Sequence, residues 1–161
     1  MSNGPSRLQQ EIKQNRPFRS AAQEAMLALL RTADVVRRHS AVLVDPEGIT
    51  IQQYNVLRIL RGAGADGLPT LEIAARMIEQ APGITRLLDR LEVKKLVHRE
   101  RCPEDRRQVT CRITTGGLTL LARLDKVVNA ADDLLQGKLS LTEQRRLIRL
   151  LDRVRGHLEG E

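Results

Sequence analysis

Aromatic side chains are almost missing from this chain: Phe18 and Tyr54 are the only two, tryptophan does not occur, and the class makes up 1% of the sequence. Binding of single-stranded nucleic acid by base stacking needs aromatic platforms, so the scarcity argues against that mode. The interior has to be built from Leu, Ile, Val and Ala, as helical bundles often are. Cysteine is nearly as scarce, since Cys102 and Cys111 are the only two. They are too few for a disulfide scaffold, and no other ligand stands near them at the spacing of a zinc site. His39, His98 and His157 are scattered over different expected elements, so no metal is expected. No nucleophile elbow, phosphate-binding loop or metal cluster appears either, which argues against an enzyme and implies no cofactor. No apolar run approaches the roughly 18 residues that cross a membrane. The polar N-terminus lacks the apolar stretch of a secretion signal. A cytoplasmic protein without a membrane partner is the expectation.

What is abundant is positive charge. Arg and Lys number 27 against 20 Asp and Glu, a formal +7, and this favours a polyanionic partner. A length of 161 residues suits one domain, or a small domain with dimerisation arms.

The chain is organised around Ala81 to Ile113. From Ile84 the apolar residues fall at Ile84, Leu87, Leu88 and Leu91, the three-and-four spacing that gives one face of a helix for burial. The opposite face carries Thr85, Arg86, Asp89, Arg90, Lys94 and Lys95. Pro82 stands where the helix is expected to begin, a position that needs no amide hydrogen, and Gly83 leaves the first turn bare so that another surface can approach. After Leu96 the period becomes two. Val109, Cys111 and Ile113 alternate with Thr110 and Arg112 as in a half-buried strand, and Val97 to Arg101 is the expected partner strand. Cys102 to Arg107 forms a polar turn between them, with Arg106 and Arg107 at its tip. Upstream, Thr70 is the expected N-cap of a supporting helix over Leu71 to Met77, and Ile78 to Gln80 the turn that follows. Helix, turn, helix and basic-tipped hairpin make a winged helix-turn-helix.

Gly83 to Glu92, then Leu96-Val97, Pro103 to Arg107, and Ile113 to Gly117 together resemble, in order and spacing, the signature region of the MarR family of bacterial transcriptional regulators. The resemblance extends over nearly the whole chain from Ser20. It implies a dimeric DNA-binding repressor or activator whose recognition helix enters the major groove and whose wing arginine enters the adjacent minor groove. It also points to Asp105 and Arg107 as paired wing residues. One position departs from the family: Lys95 stands where a glycine usually precedes the first wing strand, so the helix must close there without glycine's access to the left-handed region.

Around this centre the remaining elements follow in order. Residues 1–19 are expected to be a flexible arm with one loose helical turn at Leu8 and Ile12. Residues 20–48 supply a dimerisation helix and turn: Ser20 and Gln23 form a capping box, the apolar stripe runs to about His39, and Asp45 to Gly48 is a turn. Residues 49–115 are the DNA-binding domain, whose first helix is opened by a Thr50 and Gln53 capping box, stapled by Ile49 and Tyr54, and ends near Arg61. Residues 116–161 are the C-terminal dimerisation helices. Thr115 is expected to cap the first of them, where Leu120, Leu124, Val127, Ala131 and Leu134 form a heptad seam widened by Leu121, Val128 and Leu135. Gly137 ends that helix, Ser140 and Glu143 make another capping box, and Leu147, Leu151, Val154 and Leu158 continue the spacing. A winged domain alone cannot bury so much apolar surface. The expected fold is therefore mainly α with a small β-hairpin wing, joined to a helical dimerisation bundle.

The expected function is a sequence-specific regulator, a repressor, that binds double-stranded DNA as a homodimer on a pseudo-palindromic operator. Gln80, Pro82, Gly83, Thr85, Arg86 and Arg90 are the expected contacts of the recognition helix. Arg86 and Arg90 suit guanine edges or phosphates, and Gln80 and Thr85 suit adenine or a thymine methyl. Asp105, Arg106 and Arg107 are the expected wing contacts, because a narrow minor groove attracts a guanidinium. The family resemblance further implies release by a small anionic or phenolic ligand, in a pocket around His39, Tyr54 and Arg58. Two other roles compete. A redox-responsive regulator would use Cys102, whose neighbours Arg101 and Arg106 would favour a thiolate. A winged-helix protein-interaction module would use the heptad surfaces and would ignore salt.

Overall fold

The computed structural model describes residues 4–80, 83–101 and 109–159, without the side chains of 131–136 and 159. Those residues form seven α-helices and a three-stranded antiparallel sheet, in two compact units, 1–51 and 52–161. None of the described helices is long and apolar enough to cross a membrane.

In the first unit, α1 (Arg7–Glu11) realises the expected turn at Leu8. The Ser6 side chain caps it by accepting from the Gln9 amide, Leu8 is buried, and Glu11 lies 3.8 Å from Arg31. α2 (Ala21–Val44) starts as expected, with the Ser20 hydroxyl accepting from the Gln23 amide and the Gln23 side chain accepting from the Arg19 amide. It runs past His39 to Val44, because nothing before Asp45-Pro46 stops it. A 3₁₀ turn at Asp45–Glu47 and a left-handed Gly48 then end the element.

α3 (Ile51–Ala63), all but its first residue in the second unit, begins one residue after Thr50 and ends two residues beyond Arg61. β1 (Leu68–Pro69) follows and was not expected. It pairs antiparallel with the second wing strand, which is thereby the middle strand of the sheet, Leu68 opposite Cys111 and Pro69 opposite Thr110. Proline is tolerated there because β1 is an edge strand. Gly67 makes the approach possible, since a Cβ in its place would collide with the Cys111 carbonyl. α4 (Thr70–Ala75) corrects the cap expectation. Pro69 is its N-cap, and the Thr70 hydroxyl instead reaches the Val109 carbonyl at 3.5 Å and the Cys111 sulfur at 3.8 Å. α5 (Ile84–Val93) covers the expected apolar stripe, and the wing strands β2 (Val97–Arg101) and β3 (Val109–Ile113) lie where they were expected, with Val97 opposite Ile113 and Arg101 opposite Val109.

α6 (Thr115–Gln136) is capped one residue earlier than expected: the Thr114 hydroxyl, not Thr115, accepts from the Gly117 amide at 3.1 Å. The same hydroxyl donates to the Lys95 carbonyl at 2.7 Å, which ties the start of α6 to the end of α5. Gly137 follows the last turn of α6. α7 (Leu141–Glu159) then begins with the expected box, in which the Ser140 amide donates to Glu143 and the Glu143 amide to Ser140.

The core of this unit is mainly aliphatic, as the scarcity of aromatics requires, with Tyr54 also buried in it. Val56, Leu57, Leu60, Ile73, Leu88, Leu91, Cys111 and Leu121 are fully buried, so α3, α4, α5, β3 and α6 all contribute. In the expected seam of α6, Leu120, Leu121 and Leu124 are buried, while Val127 is exposed. Arg61 crosses from α3 to hold both oxygens of Asp125 on α6, at 2.7 and 3.1 Å.

Candidate nucleic-acid interface

α5 separates its two faces sharply. Leu88 and Leu91 have no exposed surface, while Thr85, Arg86, Asp89 and Arg90 on the reverse side are exposed. Burial of the leucines sets the rotation of the helix, and that rotation presents the arginines outward. Gly83 is the N-cap, at φ 97° and ψ 35°, so α5 begins at Ile84 rather than at Pro82. Only glycine adopts that φ readily, and no atom lies within 4 Å of where a Cβ would stand. Gly83 therefore serves both the turn and an open approach to the first turn of α5.

α4 ends at Ala75 rather than at Met77, so the tract that follows it begins two residues earlier than expected. The tract is fastened to α3 by one contact that the sequence did not reveal, the Ile78 amide donating to the Asn55 side chain at 3.0 Å. Gln80 is exposed in this tract.

The far end of α5 closes as a Schellman motif without glycine. The Leu96 amide donates to the Leu91 carbonyl at 3.0 Å and the Lys95 amide to the Glu92 carbonyl at 2.8 Å, with Lys95 itself at φ 57°. The departure noted in the sequence therefore resolves as a strained lysine in the position a glycine would fill.

A second feature unforeseen in the sequence lies between α5 and β2. The Arg99 guanidinium sits 2.6 Å from Asp89 and 2.7 Å from Glu92, and its Nε donates to Glu92 at 2.9 Å. The Arg99 amide also donates to Glu92, at 3.2 Å. The Arg99 hydrogen bonds hold the Glu92 carboxyl below its ordinary range, and the same bonds raise the pKa of Arg99. No pattern along the chain links residues seven and ten apart on different elements, so only the folded backbone brings these three together. Farther out, Arg112 on β3 donates to the Ala65 carbonyl at 3.0 Å and to Glu100 at 2.9 Å, bracing the wing against the loop before β1.

Pro82, Cys102, Asp105, Arg106 and Arg107 lie outside the described residues. Cys111 is buried, and burial pushes its thiol pKa up, the opposite of what a reactive thiolate needs. Among the described residues no group of three metal-binding side chains is found. Of the three expected ligand-pocket residues, Arg58 stands over the Tyr54 ring, 5.9 Å from its centre. Burial raises the pKa of the Tyr54 hydroxyl, with Arg58 opposing. His39 is exposed on α2.

Comparison with known proteins adds four matches. A family model described as MarR family matches residues 49–109. The transcriptional regulatory protein assigned to the hcr operon of Thauera aromatica is 30% identical over 118 residues, 73% of this chain and 70% of that one. An HTH-type transcriptional repressor of Mycobacterium tuberculosis is 27% identical over 126 residues, 78% of this chain and 89% of its own. Among solved structures, a MarR transcription factor from Planctomyces limnophilus is 41% identical, with a TM-score of 0.66, covering 84% of this chain and 98% of its own.

Proposed function

The chain belongs to the MarR family, and from that premise we propose that it is a sequence-specific, double-stranded DNA-binding transcriptional repressor acting in the cytoplasm as a homodimer. The observation that carries this reading is the outward face of α5. Thr85, Arg86 and Arg90 are exposed on it, while the buried leucines opposite fix how it is presented. In a helix-turn-helix this is the face that meets base edges in the major groove. Arg106 and Arg107 extend the reading to the minor groove through their place in the sequence, between β2 and β3.

Homodimerisation is supported by α7, where Leu147, Ile148, Leu150 and Leu158 are all exposed on the isolated chain. Two copies joined this way would set their recognition helices about 34–36 Å apart, one helical turn of DNA, so the operator would be a pseudo-palindrome. Selection of duplex fragments from a random pool tests this, with Arg86→Ala and Arg107→Ala run in parallel. We expect a two-half-site motif that both variants weaken, with affinity falling by about 10³–10⁵ between 50 and 200 mM salt. Selection that yields no motif, together with binding indifferent to salt, would favour the protein-interaction module instead.

Release by a small anionic or phenolic ligand accompanies this proposal. Arg58 over Tyr54 offers a cation beside an aromatic ring. A ligand acts only through different affinities for the DNA-competent and DNA-incompetent states. Benzoate and phenol derivatives titrated against the operator complex should therefore weaken it, and Arg58→Ala should remove the effect.

A further inference from the structure

We propose that Arg99 is a positioning residue for operator recognition: it withdraws Asp89 from Arg86 and locks the wing strand β2 to the recognition helix. This rests on the DNA-binding reading above. Arg86 and Asp89 are three apart on α5, a spacing at which opposite charges on a helix surface pair with each other. Here Asp89 turns instead to the Arg99 guanidinium at 2.6 Å, and Arg86 forms no ion pair among the described residues. The arginine expected to read DNA is thereby left with its donors free, and the acid that shares its face is neutralised.

The geometry also constrains the wing. One guanidinium is held by carboxylates from two successive positions of one helix face, and the Arg99 amide adds a backbone link to Glu92. A planar fork with its donors in fixed directions specifies orientation as well as distance, which a lysine ammonium does not. Rotation of β2 against α5 would break at least one of these bonds. Since the wing tip and the α5 arginines have to enter neighbouring grooves together, this angle sets whether both fit one site.

Partly exposed ion pairs add little to folding. Arg99 and its partners have side chains 23%, 50% and 38% exposed, so recognition rather than stability is where the cluster should register. The test measures affinity for the selected operator and for a scrambled duplex, with the thermal midpoint of the free protein. Arg99→Gln should lower operator affinity by about 5- to 150-fold, the range of one bidentate base contact, and scrambled-duplex affinity far less. Its Tm should move by less than about 4 °C. Asp89→Asn added to Arg99→Gln should recover part of the operator affinity, because no acid remains to recapture Arg86. Arg99→Lys should fall between wild type and Arg99→Gln.

Equal losses on both duplexes, with no recovery from Asp89→Asn, would mean that Arg99 merely contacts phosphate and would overturn the proposal. A Tm collapse that accompanies the loss in both Arg99 variants would overturn it in favour of a structural role. A wild-type protein that selects no operator overturns the regulator reading itself, whereas operator binding unchanged in Arg99→Gln overturns only the positioning role.

Discussion

α5 and α7 carry one kind of sequence pattern and end in opposite states. Each sets apolar residues three and four apart against arginines on the other side. On α5 the stripe is closed off, with Leu88 and Leu91 wholly buried. On α7 it is open: Leu147 is 41% exposed, Leu150 47%, Ile148 57% and Leu158 68%. Amphipathic spacing therefore says that a face will be covered, not by what. For α5 the cover comes from the rest of its own unit. For α7 the proposed cover is a second copy of the chain, which would make the fold's C-terminal end a matter of concentration.

The largest test of this contrast is truncation inside the closed stripe. Leu88→Ala should cost about 2–5 kcal/mol of unfolding free energy, from lost transfer plus the cavity left behind. Denaturant titration should give that loss at every protein concentration. Truncation of the open stripe should behave differently. Leu147→Ser with Leu150→Ser should barely change the stability of dilute monomer. It should weaken self-association by about 1.5–3 kcal/mol for each side chain fully buried in the dimer, read by sedimentation equilibrium over a dilution series. Unchanged association in that variant would end the claim that α7 joins two copies.

The same contrast shows what could be read from the sequence and what could not. α5, β2 and β3 were legible because each declares itself locally, by a three-and-four spacing at Ile84 to Leu91 and by alternation at Val109 to Ile113. The Ser20 and Ser140 caps were legible for the same reason. β1 was not, since two residues with a proline show no period, and only pairing with Cys111 and Thr110 makes them a strand. Thr70 and Thr114 show a subtler limit. Thr70 spends its hydroxyl on β3, and the tandem Thr114-Thr115 offers two possible caps, between which the Lys95 carbonyl decides. The Arg99 cluster and the Asn55 anchor join elements far apart in pattern and had no signal along the chain.

A smaller effect sharpens the account of how α5 ends. A side chain in the left-handed region costs roughly 1–2 kcal/mol, and glycine gives back part of that through its greater freedom when unfolded. Lys95→Gly should therefore stabilise the protein by about 0.5–1 kcal/mol in denaturant titration. A loss of stability instead would mean that the Lys95 side chain contributes more than its backbone conformation costs.

The smallest effect is the response to acid, and it belongs to the closed unit. Hydrogen bonds from Arg99 hold the Glu92 carboxyl below its ordinary 4.5, and hydrogen bonds from Arg61 hold Asp125 below 3.8. Each group takes up its proton at higher pH when unfolded than when folded, so the unfolded chain binds more protons in between. The stabilisation is complete above the unfolded values and disappears as pH falls through the lower folded ones. Both side chains are more than a third exposed, so solvent screening limits each to a few tenths of a kcal/mol, about the scale of surface pairs. Unfolding free energy measured from about pH 5 down to pH 3 should fall less in Glu92→Gln and in Asp125→Asn than in the wild type. Because Glu92 faces Arg99 across the wing while Asp125 ties α3 to α6, only Glu92→Gln should also alter operator discrimination. Were Asp125→Asn to alter it equally, the orientation of α5 would depend on the whole unit rather than on the Arg99 cluster.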